Sequence, residues 1–226
     1  MTARIAIVTG AGGALGRATS IDLAGSGFTV VAVDRSDHSL QGLPAGIRAE
    51  VADATDAAVP GQLVDRIAAE VGPPDVLVNT IGTFELGDAL AATPATLARM
   101  MDVNLGAALW LSQAVASHMK QRGSGAIVNV TARPGIEPTA GMAAYSLSKA
   151  ALVHLTRVLD VELRPHGIRV NAVAPQLLDT AANRASFPPE VMATAVAPAA
   201  IARLIAFLVS DEAAPVSGAI LPAYGP

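Results

Sequence analysis

The chain has 226 residues, enough for one α/β domain with a sizeable core. Hydrophobic residues make up 52% of it and charged residues 15%, with a formal charge of −4, which excludes a disordered tail or a basic nucleic-acid arm and gives an anionic membrane no reason to attract it. Aromatics at 3% remove the stacking platforms used for single-stranded nucleic acid, and the lack of cysteine excludes disulfides, thiolate metal sites and a cysteine nucleophile.

After Arg4 a short apolar run, Ile5 to Val8, gives way to glycines; it is too short for a signal-peptide core, and a cytoplasmic protein is expected. No apolar stretch approaches the roughly 20 residues of a spanning helix. In chain order the pattern predicts a strand at 5–9, a helix at 15–26, strands at 29–33 and 46–51, a helix at 57–71 and a strand at 75–79. A long helix follows at 93–122, with a break near Gly106, then a strand at 126–131, a helix at 143–164, a strand at 169–174, a helix at 198–210 and a strand at 219–221. Near-continuous apolar strands indicate a parallel sheet covered on both faces. Strands separated by helices imply right-handed crossovers. The expected fold is α/β: a single-domain, Rossmann-like, doubly wound parallel sheet of seven strands with helices on both faces, spanning 1–226 without linker or repeat.

In such a sheet, ligands sit beyond the carboxyl ends of the strands. The segments leaving those ends begin at Gly10, Asp34, Ala52, Thr80, Ala132 and Pro175. The first, Gly10-Ala11-Gly12-Gly13-Ala14-Leu15-Gly16, joins a strand to a helix. There glycines allow close backbone approach to a pyrophosphate, and the helix N-terminus presents free N–H groups and partial positive charge. Asp34 ends the second strand, where a carboxylate can accept both ribose hydroxyls of an adenosine and would repel a 2′-phosphate. Arg35 beside it could tolerate that phosphate, so NAD is the expected cofactor and NADP the less favoured one. Asp53, after the third strand, is placed to contact the adenine amino group or to serve an N-cap or turn.

Tyr145 and Lys149 lie four residues apart on a predicted helix and so share a face. A lysine ammonium there can stabilise a phenolate and pull a tyrosine pKa of about 10 toward neutrality. A phenol so tuned passes protons to and from an alcohol or carbonyl oxygen. His38, His118, His154 and His166 are too scattered to form a ligand cluster, and no metal site is expected.

Loop, acid and Tyr–Lys pair together resemble the short-chain dehydrogenase/reductase family over nearly the whole chain. Thr9 through Gly16 is similar to that family's threonine–glycine cofactor loop, with Ala14 where a glycine is usual, and Asn79-Thr80-Ile81-Gly82 stands where Asn-Asn-Ala-Gly is usual. The resemblance implies an NAD(P)-dependent oxidoreductase with Tyr145 as acid/base. Lys149 would depress the tyrosine's pKa and hold the nicotinamide ribose, and Asn104 would kink its helix and keep a water that relays protons toward Lys149. It also implies that Gly10, Gly12, Gly13, Leu15, Gly16, Asp34, Arg35, Asp53, Asn79 and Gly82 bind the cofactor with Tyr145 and Lys149. Pro175, Leu178 and Thr180 would line the nicotinamide, with Gln176 in place of a glycine. The family's assembly through two long helices, here 93–122 and 143–164, implies a homodimer or homotetramer. The other partner is a small-molecule substrate, with no nucleic acid and no membrane.

One departure bears on the chemistry. The family's serine, thirteen residues before the tyrosine, falls on Ala132. A methyl group offers no hydrogen bond, and losing one positioned donor costs on the order of 10²–10³ in rate. Three readings are open: the substrate does not require that hydroxyl; or Thr131, Thr139 or Glu137 supplies it; or the fold is a nucleotide-binding scaffold with little catalysis. The quinonoid dihydropteridine reductase branch keeps Tyr and Lys with alanine at this position, and residues 13–16, 139–142 and 178–184 resemble it, which implies a conjugated-ring substrate as the alternative to a small carbonyl or alcohol. Thr131, Ala132, Glu137, Met142 and Leu177 are the expected substrate contacts, with Phe187 adding apolar surface for a small or flat molecule. The residues between Thr180 and Pro198 are too few for a large lid with helices of its own, so the pocket is expected to be open or completed by a partner chain.

Overall fold

Short β-branched segments form the centre of one sheet and are buried on both sides, as a parallel sheet requires. The computed structural model describes residues 3–225; residues 1, 2 and 226, the ends of the expected domain, lie outside the described residues. The strands are β1 (Ile5–Thr9), β2 (Thr29–Asp34), β3 (Arg48–Val51), β4 (Val76–Asn79), β5 (Gly125–Val130), β6 (Ile168–Pro175) and β7 (Ile220–Ala223). All pairings are parallel, in the order β3-β2-β1-β4-β5-β6-β7. The order reverses between β1 and β4, which opens a crevice beyond their carboxyl ends.

Alternate residues of each strand enter two cores. Ile7, Val31, Leu77, Ile127 and Val170 face α3 (Val59–Glu70), α5 (Ala107–Arg122) and α6 (Ala143–Leu163). Ala6, Val8, Val30, Val78 and Val128 face α1 (Ala14–Gly25) and α9 (Pro198–Val209) on the other side. Among the described residues no helix is long and apolar enough to cross a membrane.

Element ends differ from the sequence reading for local reasons. The third strand starts at Arg48 because Gly46, at φ 98°, still belongs to a turn. α3 starts at Val59, since the Asp56 carboxylate accepts the Ala58 N–H at 3.0 Å in a turn and Pro60 then fits the first helical turn. A four-residue helix, α2 (Asp37–Leu40), lies in a stretch too short to show a period. The helix expected over 93–122 comprises α4 (Pro94–Met101) and α5, joined by a π-helical turn at Asp102–Gly106 where the break was placed. The segment before α9, expected to be too short for a large lid with helices of its own, holds two short helices, α7 (Ala181–Ser186) and α8 (Pro189–Met192). Thr180 starts the first by accepting the Asn183 N–H on its hydroxyl at 3.1 Å, and Pro189 opens the second.

Candidate active site

The loop after β1 is shaped by glycine. Gly10 sits at φ 66°, and a Cβ on it would lie 2.9 Å from the Thr80 hydroxyl oxygen. A Cβ on Gly16 would fall 2.2 Å from the Gly10 carbonyl oxygen, so α1 is pressed directly onto the loop. Gly13 is the N-cap of α1, with no side-chain cap and no acid in the first turn. Its leading N–H groups therefore remain free for an anion, and this cradle, which side chains would fill, fits a dinucleotide's pyrophosphate.

A cleft of about 400 Å³ runs from this loop past Asp34, Arg35 and Asp53. One Asp34 oxygen accepts the Gly12 N–H at 3.0 Å and the other the Ser36 N–H at 3.3 Å, which fixes the carboxylate at the end of β2. Asp53 does not cap α3, whose N-cap is Ala58; it accepts the Thr55 hydroxyl at 2.6 Å and N–H at 3.0 Å. Those bonds hold its carboxyl below the usual range against partial burial, and the Arg35 charge adds to the effect.

The cleft shares Thr80, Gly82 and Thr83 with a second cavity of about 250 Å³, which is lined by Tyr145 and Lys149. Leu15, Pro175 and Leu178 line it too, as do Thr131, Ala132, Met142 and Leu177. Lys149 is 4% exposed and its Nζ donates to the Val130 carbonyl at 3.0 Å. Burial pushes the ammonium down to about 8 and the Tyr145 phenol up to about 12. This runs against the expectation of a phenol depressed by its neighbour: in the protein alone desolvation governs both groups, and the ammonium uses one of its three N–H donors on the Val130 carbonyl. Gly82 provides the space they need, since a Cβ there would lie 3.2 Å from Lys149 Nζ and 3.1 Å from Asn104 Oδ1.

With this geometry in place, the profile described as "short chain dehydrogenase" matches residues 4–190. The chain belongs to the short-chain dehydrogenase/reductase family. It is therefore an oxidoreductase of an NAD(P)-binding family. It is 37% identical to galactitol 2-dehydrogenase of Rhizobium johnstonii, over 96% of this chain and 91% of that one. It is 39% identical to cis-4-hydroxycyclohexanecarboxylate dehydrogenase of Sinomonas cyclohexanicum, over 98% of this chain and 95% of that one. The structure of an NAD⁺-bound xylitol dehydrogenase matches with a TM-score of 0.92 at 27% identity, covering 99% of this chain and 98% of that one.

Other residues singled out in this short-chain dehydrogenase/reductase lie elsewhere. Asn79 is buried with its side chain turned into the protein, donating to Asn129 Oδ1 at 2.9 Å, and Asn129 in turn donates to the Thr156 hydroxyl at 3.0 Å. It braces β4 against β5 and α6 rather than facing the cleft. Asn104, fully buried in the π turn, has its amide committed: Oδ1 accepts the Thr83 N–H at 2.8 Å, and Nδ2 donates to the Thr83 carbonyl and the Ser148 hydroxyl, both at 2.9 Å. The side chain pins two strips of backbone: both Nδ2 hydrogens are committed, and Oδ1 keeps one lone pair on the side facing Gly82. Thr180 lies outside the cavity lining as the cap of α7. Glu137 also lies outside it, paired with Arg133 at 2.7 Å, and Thr139 is exposed beyond the rim. Thr131 reaches the lining, but its hydroxyl donates to the Lys149 carbonyl at 3.1 Å. None of the three supplies a hydroxyl in place of the missing serine.

Sequence reasoning missed Thr83, Phe84, Pro134 and Asn183, all of which line the cavity. Phe84 had a signal: the chain holds only four phenylalanines. Two of them, Phe84 and Phe187, stack with ring centroids 6.2 Å apart at 26°, and Phe84 meets Tyr145 edge-on at 6.3 Å and 68°.

Proposed function

We propose that the protein interconverts a small ketone and its secondary alcohol with NAD as cofactor, Tyr145 exchanging the proton. The bound nicotinamide supplies the hydride to the carbonyl carbon in reduction and takes it back in oxidation. Tyr145 gives its hydroxyl proton to the carbonyl oxygen in reduction, and solvent restores it; the reverse transfer serves oxidation. The carrying observation is that Tyr145 lines a cavity sharing Thr80, Gly82 and Thr83 with the cleft at the glycine loop, and that its hydroxyl makes no hydrogen bond among the described residues. Held near 12 by burial, the phenol is neutral at pH 7 and so carries the proton that reduction consumes, as a weaker acid than an ordinary tyrosine. Asn104 positions the wall at Thr83 and α6 at Ser148. With Ala132 presenting a methyl, Tyr145 takes over as the donor to the substrate oxygen in this reading. Asp34, held in the cleft at the end of β2, supports NAD over NADP in this reading because its carboxylate would repel a 2′-phosphate. Relatives named for the oxidation of galactitol and of a hydroxycyclohexane support alcohol/ketone chemistry.

The test is Tyr145→Phe. Turnover should fall by about 10²–10⁴ while NADH titrated by fluorescence binds as before. Undiminished turnover in that variant would overturn the mechanism. We assign assembly to α5 and α6 as a homodimer or homotetramer, because Leu147 and Val161 on α6 stand 59% and 72% exposed; sedimentation as a stable monomer would contradict this.

A further inference from the structure

The polar groups around the cavity are nearly all turned away from it. Thr80 donates its hydroxyl to the Thr9 carbonyl at 2.6 Å and Thr131 to that of Lys149 at 3.1 Å. Gln176 is occupied at both ends, accepting from Arg133 Nη1 at 3.0 Å and donating to the Thr194 hydroxyl at 2.9 Å. The Asn183 amide donates to the Leu178 carbonyl at 2.8 Å. Ala132 adds a methyl where a hydroxyl would have met the substrate. Lys149, the one charged side chain lining the cavity among the described residues, gives one N–H to the Val130 carbonyl. What is left to meet a ligand is the hydroxyls of Tyr145 and Thr83, the Asn183 amide oxygen and the remaining N–H groups of Lys149, a short list for a molecule with many hydroxyls.

The apolar side of the cavity has a definite shape. Phe84, from the loop after β4, and Phe187, between α7 and α8, form a stacked pair, and Phe84 is in turn set against the Tyr145 ring. Met142, Leu177 and Pro134 line the same cavity. Aromatic faces next to a proton donor suit a planar or near-planar ring that carries one oxygen. A chain bearing several hydroxyls would have to leave most of them unpaired, and each buried polar group without a partner costs about 1–3 kcal/mol. Sites of this kind discriminate by what they fail to bond.

We propose that the substrate is an apolar ring bearing a single ketone or secondary alcohol, gripped by Phe84 and Phe187, and that polyhydroxylated open-chain substrates are rejected. This rests on the oxidoreductase reading above and narrows it. The test compares cyclohexanone and acetophenone with an open-chain polyhydroxy ketone of similar size, using the full-length protein and NADH. The ring ketones should have kcat/KM higher by on the order of 10²-fold. Phe187→Ala should raise KM for them about tenfold with kcat and Tm unchanged. Calorimetric binding of cyclohexanol to the protein saturated with NADH, a pair that cannot exchange hydride, should weaken by a similar factor. Equal or better turnover of the polyhydroxy ketone overturns the substrate class while leaving the oxidoreductase reading intact, and so does an unaltered KM and affinity in Phe187→Ala. Failure to bind NADH, or to reduce any carbonyl with NADH bound, overturns both.

Discussion

Replacing Lys149 with methionine should stabilise the protein while removing its activity. The ammonium is buried, its hydrogen-bond partner is the Val130 carbonyl, and no neighbouring carboxylate offsets its desolvation. Burial takes its pKa from the ordinary 10.5 to about 8. At about 1.4 kcal/mol per pKa unit, the charged form costs the fold about 3 kcal/mol at neutral pH. Methionine retains most of the length without the charge; it forfeits the bond to Val130, about 1 kcal/mol, which leaves a net gain of about 2 kcal/mol. For a chain of this size that is roughly 4–8 °C in Tm. The sign with pH follows from proton binding. Between pH 8 and 10.5 the unfolded chain holds the lysine proton and the native protein does not, so wild-type stability gains a rising contribution across that interval that the variant lacks. Tyr145 opposes this only above pH 10, where the unfolded phenol ionises before the native one, held near 12. Differential scanning calorimetry of both cofactor-free proteins from pH 6.5 to 9.5 is the assay. The variant should melt higher at pH 7, and the gap should close as pH rises past 8. A variant that melts lower at pH 7, or a gap independent of pH, would refute the reasoning.

Gly16→Ala forces a methyl to 2.2 Å from the Gly10 carbonyl oxygen, so α1 must move off the loop; NADH affinity should drop at least tenfold by fluorescence titration. Gly61→Ala, in open space on α3, is the control and should leave binding intact while raising Tm slightly. Asp34→Asn removes the charge facing a 2′-phosphate and should shift the ratio of KM values for NADP and NAD by about tenfold toward NADP; an unchanged ratio would show that Asp34 does not set the preference. Ala132→Ser adds a donor to the cavity wall and should raise reduction of simple ketones by up to about 10²; a variant no faster than wild type would show that the methyl is not what limits the rate.

The legible parts of this chain were those whose chemistry is local. The loop from Gly10 to Gly16 declares itself because the glycines, the preceding strand and the following helix are contiguous, and Tyr145 with Lys149 because one helical turn fixes their relation. The break near Gly106 was visible, although its π geometry was not, since that depends on how Asn104 meets Thr83 and Ser148. The inward turn of Asn79 could not be read, because its partner Asn129 becomes a neighbour only once β4 and β5 pair. Glu137 looked like a substrate contact until a short turn at Arg133–Gly135 aimed it at Arg133. α7 and α8 are too short to carry a helical period. The pKa direction of Tyr145 was inverted for the same reason: spacing gives proximity to a lysine, whereas burial is a property of the assembled cavity.

The site has two mechanical parts. α6 is tied to the sheet and its neighbours at successive points along one face: Ser148 to Asn104, the Lys149 carbonyl to Thr131, and Thr156 to Asn129. Gly135 packs so closely that a Cβ there would lie 2.7 Å from the Lys149 carbonyl carbon. Tyr145 and Lys149 are thus held by buried bonds that do not involve the cavity's contents, which is what a proton donor needs if its geometry is to survive changes of ligand. Phe84 and Phe187 belong instead to segments outside regular helices and strands, and the contact that joins them is a ring stack without a hydrogen bond. Substitutions on that wall should therefore change which molecules bind, and substitutions in the ties beneath α6 should change whether the proton transfer works at all.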